Sequence, residues 1–481
     1  MMDFGIAAVT GWSALRAVVD ALFAVVAGAA IAGELRRSPL GGRRVLWMLI
    51  LATILAPDLI AGYAFSNFSL SLIRDPAWNE AFLTLLIGLK ATAIAAVMLH
   101  FSPAPALTPA GSHLLRLAGE RIGWLDRMRI IGRGEPSRML PALGIAFLFA
   151  FQQFELPSLT GATAWTVTLF DRQAQVPDPW DSARPLVWPL AVELVALAPV
   201  PLFILAATAS KRRAVPPMRR RSVERGFAWL VAFLTASLTA AVPFGILVVE
   251  SVPGLGYVLE GTPTAVSFWR EVATALGYGI AAAVFAFLPA VGLLRLTASP
   301  RWRPVGMILL LVACVPGLCG PLVPSLFAVA WLQTPWLLPL RDTLVPLVTV
   351  LALFLLPRAI LLEALARSVR EAPAIHLARR LRASPIDDQR RAGRLLIWDL
   401  DGFGRYCRVS LLAYWGYLDL TAATILAPAA VVPVTARLYN LMHYGHNASL
   451  STMALLAVVV PAVAFAALLV VRRLVLRLAV R

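Results

Sequence analysis

The chain has 481 residues, of which 59% are hydrophobic and 14% charged. That is more apolar matter than a soluble core buries, so an ordinary soluble domain is excluded. The formal net charge of +17 would point to nucleic acid in a soluble domain, but here the positive residues lie mostly between apolar runs and report membrane orientation. The composition therefore predicts an all-α polytopic membrane protein whose surroundings are a lipid bilayer, with no nucleic acid.

At the start, "MMDFGIAAVTG" carries no basic region ahead of the first apolar run and no small-residue cleavage site that stands out, so the first span is expected to stay in the membrane. Uninterrupted apolar stretches of about 17–25 residues predict eleven spans, within a range of 10–12. They cover residues 12–32, 45–65, 82–98, 139–159, 186–207, 227–249, 272–294, 305–331, 344–362, 409–427 and 453–471.

Cytoplasmic loops are enriched in Lys and Arg, and the loops test this count. Those after spans 1, 3, 5, 7 and 9, with the C-terminal tail, hold 34 of the 43 Lys and Arg residues, whereas the N-terminus and the other five loops hold 6. A missed span would scramble the alternation from that point on. The N-terminus is therefore expected outside and the C-terminus inside.

Two cytoplasmic loops stand out by length, 99–138 and 363–408, and each is followed by two spans. An offset of 263 residues lays "HLLRLAG" from His113 over "HLARRLR" from His376 and brings Pro141 onto Gly404. An acidic residue follows in each copy, Glu155 and Asp419, one residue out of register. This predicts two parallel repeats, with span 6 as an extra first helix of the second. The expected organisation is a first half at 1–209, a linker at 210–226 rich in Pro and Arg, and a second half at 227–481.

These loops resemble those of permeases of type I ABC importers, particularly the fused iron(III) and thiamine type. That family carries a short cytoplasmic helix with Glu-Ala-Ala, three residues, then Gly, which docks on the ATPase. In the first half the frame runs from His113 through Arg116 to Gly119. In the second it places His376 at the glutamate, Ala378 at the second alanine, Arg379 in the spacer and Arg382 at the glycine, with Ala383 and Ser384 following. A second frame starts at Glu371-Ala372 but sets Pro373 and Leu377 at alanine and glycine. "LDLTAATILAP" and "ARLYNLMHYG" resemble the segment after the docking loop. The resemblance implies a pore subunit of a bacterial cytoplasmic membrane, driven by a separate ATP-binding cassette ATPase and fed by an external solute-binding protein. Independently, "ALARSVREAPAIHLARRLRA" spaces apolar residues helically between arginines, as an amphipathic helix does that docks in a partner's groove or lies solvated to fix topology.

Ionisable residues inside spans are costly and are candidates for a transport path. They are Arg16, Asp20, Asp58, Lys90, Glu155, Glu193 and Asp419. Arg16 and Asp20, four apart, are expected to pair with each other, and Lys90 with Asp58. Glu155 and Asp419 fall at the outward ends of spans 4 and 10, within reach of interfacial water.

Cys314, Cys319 and Cys407 lack metal-ligand spacing and read as small core residues. His443 and His446 stand three apart in an external loop with no carboxylate or cysteine nearby, too few ligands for a metal centre. "VPGLCGPLVP", residues 315–324, should interrupt span 8 at mid-depth, either along a substrate path or as a kink. Lys90 and Lys211 are the two lysines, neither in a Walker A loop, and no hydrolase or nucleotide-binding motif has a supporting setting. The chain is therefore expected to be a transporter subunit with no cofactor, and not an enzyme. An ion-coupled secondary transporter and a non-transporting scaffold derived from a permease are the other readings.

Overall fold

The computed structural model describes residues 5–72, 75–102, 136–175, 180–181, 184–200, 222–259, 263–315, 320–369, 372–442 and 448–478. Among these residues all regular structure is helical. The protein is thus an all-α chain of apolar helices, as its composition requires.

The first half opens with α1 (Ile6–Arg37), α2 (Leu40–Leu55), α3 (Asp58–Ser71) and α4 (Pro76–Phe101). It continues with α5 (Pro136–Phe151), α6 (Glu155–Thr160), α7 (Trp165–Gln175) and α8 (Val187–Leu197). Next come α9 (Ser222–Ala236), α10 (Val242–Ser251) and α11 (Leu255–Leu259), the first two joined by a π turn. The second half follows as α12 (Pro263–Ala298), α13 (Arg303–Cys314), α14 (Leu322–Trp331) and α15 (Val345–Val369). After it come α16 (Ala372–Arg382) and α17 (Asp387–Ile397), then α18 (Phe403–Leu418), α19 (Thr421–Leu426), α20 (Val434–Met442) and α21 (Ala448–Leu478).

The packing follows the same scheme on both sides. In the first half α1 packs along α4 and against α5, α2 lies on α4, and α3 packs on α6. In the second, α12 packs along α15 and against α18, α13 lies on α15, and α14 packs on α19. Leu40 and Arg303, which open α2 and α13, keep the offset that relates His113 to His376.

Small residues allow the closest of these crossings. A Cβ at Gly28 would lie 2.8 Å from the Ala96 backbone nitrogen, and one at Gly279 would lie 2.8 Å from the Ala413 carbonyl and 2.9 Å from the Tyr417 nitrogen. Backbones touch at both places, which is how apolar helices gain contact when lipid offers no hydrophobic driving force. Helix α9, assigned by sequence to the second half, packs instead on α1, α2 and α4, with Val231 and Ala232 among Ala27, Ile31, Leu46 and Ala96. It begins at Ser222, inside the expected linker.

Among the described residues six helices are long and apolar enough to cross a membrane: Ile6–Arg37, Pro76–Phe101, Val223–Gly254, Val266–Ala298, Val345–Arg367 and Ala448–Arg472. A seventh is formed if Leu40–Leu55 and Asp58–Ser66, bent by 78°, count as one. Expected spans 4, 8 and 10 are pairs of shorter helices, α5 with α6, α13 with α14 and α18 with α19. Span 8 breaks at Cys314 and resumes at Leu322, where the Gly- and Pro-rich stretch predicts an interruption. Apolar runs long enough for a span extend across such places because only one or two polar residues, Gln152 and Gln153 or Asp419, interrupt them.

Candidate functional site: charges at helix breaks and an arginine-rich hairpin

Pro57 causes the first break. The residue before a proline is driven out of the helical region, and Ala56 accordingly sits at φ −67°, ψ 121°. The last turn of α2 is left with open carbonyls, and Lys90 on α4 answers them. Its Nζ donates to the Ala56 carbonyl at 2.6 Å and to Asp58 Oδ1 at 2.5 Å. Lys90 is 7% exposed, so the expected pair with Asp58 exists and also seals a broken helix.

Glu155 opens α6 after a break at residues 152–154. Its carboxylate accepts from the Leu59 backbone N–H at the start of α3, within electrostatic reach of Asp58, Asp419 and Lys90. Asp419 lies in the break between α18 and α19, where its Oδ1 accepts from the Ala422 N–H at 2.8 Å and caps α19. Its own carbonyl accepts from Thr435 Oγ1 at 3.2 Å.

Arg358 on α15 stands within electrostatic reach of Asp419. It donates to the Phe354 carbonyl at 3.0 Å, and its guanidinium lies 3.7 Å from the centre of the Phe354 ring. Sequence reasoning missed this residue, although an arginine inside the apolar run 344–362 was signal enough.

Asp58, Lys90, Glu155 and Asp419 are therefore brought together, with Arg358 as a fifth member. The carboxylates sit at N-terminal ends of half-helices, where the helix dipole favours negative charge. Asp419 is buried and Glu155 half-buried, because both helices break and turn their acids inward.

The expected Arg16–Asp20 pair is not made. Arg16 reaches across to Glu80 at 2.7 Å and to the Thr163 carbonyl at 3.2 Å. Asp20 is 1% exposed, and neither of its carboxylate oxygens has a hydrogen-bond partner among the described residues. Glu193 is buried and accepts from Gln152 at 3.3 Å.

The second-half loop forms a helical hairpin of α16 and α17. Ala378 is its buried contact, whereas His376, Arg379, Arg382 and Ala383 are exposed. Ser384, half-buried at the turn, donates to Gln389 at 2.7 Å and accepts from the Ile386 N–H at 3.2 Å. The tight crossing is made by Gly393, where a Cβ would lie 2.3 Å from the Arg382 nitrogen. The glycine that permits close approach is thus on α17, not at position 382.

Glu363, fully buried, ties α15 to α18 and, through Arg367, to α12. It binds Arg367 at 3.1 Å and Arg408 of α18 at 2.9 Å, and Arg367 also donates to the Leu294 carbonyl of α12 at 2.8 Å.

His113, Arg116 and Gly119 lie outside the described residues, as do Cys319, His443 and His446. Among the described residues no group of three or more His, Cys, Asp and Glu side chains could hold a metal ion. Cys314 is buried as expected, but Cys407 is exposed, since the start of α18 emerges from the bundle. Comparison of the chain with protein families, curated proteins and solved structures finds no match.

Proposed function

We propose that this chain is the membrane-spanning permease of an ATP-binding cassette importer. Both halves are fused in one chain of eleven spans, with the N-terminus outside and the C-terminus inside a bacterial cytoplasmic membrane. The observation that carries the reading is the α16–α17 hairpin, an exposed amphipathic pair whose second helix continues through the π turn Trp398–Gly402 into α18, where Arg408 binds Glu363 of α15. Force applied to such a hairpin would reach α18 along that helical path and pass from it to α15 and α12 through Glu363 and Arg367. A duplication is supported by the parallel order and packing of α1–α8 with α12–α15 and α18–α21.

The ATPase would be a separate subunit that binds this hairpin and its counterpart in the loop 99–138. An external binding protein would deliver the solute, iron(III) or another small substrate. The path would run between the halves, where Tyr63 on α3 shares a 3.0 Å hydrogen bond with Ser451 on α21 and Ser158 on α6 meets Tyr439 on α20.

Capture from membranes tests this. The intact chain should bring down a P-loop ATPase, and replacing residues 372–397 by a Gly-Ser linker should abolish capture while leaving the membrane-bound level unchanged. Capture of no ATPase, together with solute uptake on an ion gradient alone, would overturn the proposal.

A second reading, an ion-coupled secondary transporter, is favoured by the cluster of Asp58, Lys90, Glu155, Arg358 and Asp419. Buried carboxylates at broken helices form the kind of site that binds protons or sodium in such proteins.

A further inference from the structure

The hairpin, α12, α15 and α18 enclose an open cleft of about 640 Å³ that neither reading above uses. Arg295, Arg367, His376, Arg379 and Arg405 line it. Arg408 stands behind Arg405, tied to Glu363. Two carboxylates answer these five arginines: Glu363 binds Arg367 and Arg408, and Asp401 binds Arg405 at 2.7 Å. Arg295 and Arg379 have no acidic partner among the described residues, and the buried Arg405 Nε has no hydrogen-bond partner among them. Among the described residues the cleft thus carries a surplus of three positive charges before His376 is counted.

We infer that this cleft is a binding site for a phosphate-bearing anion. Guanidinium groups from four helices present N–H donors in forks that match tetrahedral phosphate oxygens. The cleft opens at the arginine-rich ends of the apolar helices α12 and α15, the depth at which a lipid headgroup lies, and basic pockets between helices at such an end are suited to anionic lipid. Its volume falls in the ordinary range for small-ligand sites. The phosphate belongs either to an anionic lipid or to a soluble phosphate compound. The inference stands whether or not the chain transports a solute.

Native mass spectrometry of the whole chain, released from nanodiscs, tests it. The probes are phosphatidylglycerol and cardiolipin against phosphatidylcholine, with inorganic phosphate and pyrophosphate as soluble competitors at constant ionic strength. The test variant is Arg295→Ala/Arg379→Ala, which removes no ion pair, and the control is the exposed Arg341→Ala outside the cleft. The wild type should retain an anionic ligand in preference to phosphatidylcholine. The double variant should lose that preference by about fivefold per arginine, and the control should match the wild type. Retention displaced by millimolar phosphate or pyrophosphate assigns a soluble ligand, and retention that resists them assigns a lipid. Equal retention of anionic and zwitterionic lipid with no phosphate binding would overturn the inference. So would a double variant that binds as the wild type does, even if it had lost capture of an acidic protein partner.

Discussion

Lys90 and Asp58 form an ion pair whose cation also fills the open end of a broken helix, with Nζ 2.5 Å from Asp58 Oδ1 and 2.6 Å from the Ala56 carbonyl. Removing one partner of a buried pair leaves an uncompensated charge and costs about 3–5 kcal/mol. Lys90→Met should lower stability by that order in detergent unfolding. Lys90→Met/Asp58→Asn should recover part of it but not all, because the Ala56 carbonyl remains unpaired. A single variant within about 1 kcal/mol of the wild type would mean that the break is held by something else.

Glu363 joins α12, α15 and α18 through Arg367 and Arg408, and α17 runs into α18 through the π turn Trp398–Gly402, so Glu363→Gln should loosen the anchor of the hairpin at α18. The expected loss is about 3 kcal/mol or more, with faster tryptic cleavage at Arg379 and Arg380 at temperatures well below global unfolding. Cleavage rates unchanged from the wild type would place the rigidity of the hairpin elsewhere.

Gly393 has no room for a side chain against the Arg382 backbone. Gly393→Val should separate α16 from α17 and cost about 1–3 kcal/mol, the usual range for overpacking. If the hairpin docks an ATPase, capture should fall with it. Val tolerated at 393 with full capture would show that the crossing angle does not matter to docking.

Asp20 offers the opposite case. A buried carboxyl without a hydrogen-bond partner costs desolvation with nothing in return. Asp20→Asn should therefore leave thermal stability the same or raise it slightly, whereas a loss above about 2 kcal/mol would reveal a partner for the acid. Arg16→Met should be destabilising by contrast, because it strands Glu80.

What could be read from the sequence divides along the range of the interactions. Lys90 with Asp58 was legible because adjacent spans lie side by side. Arg16 was misassigned to Asp20 because the local spacing is ideal, yet α1 packs along α4 and presents Glu80 at a better distance. Helical character followed from apolar length alone. The break in span 8 followed from its Gly- and Pro-rich stretch, whereas those at Pro57, 152–154 and 419–420 did not, since one or two polar residues or a proline within an apolar run also fit an unbroken span. The burial of Asp419 depends on such a break and was invisible for the same reason. An amphipathic helix was anticipated from the arginine spacing, but its pairing with α17 through Gly393 was not, since a contact between two helices is encoded in no single-helix pattern.

The cluster at the breaks holds an odd number of formal charges. Asp58, Glu155 and Asp419 supply three negative charges, and Lys90 and Arg358 supply two positive ones. Among these five residues one negative charge is therefore left over in the middle of the bundle. The imbalance is removed by one proton or one monovalent cation, and a divalent cation would overshoot it. A single proton shared among the three carboxyls therefore leaves these five residues balanced.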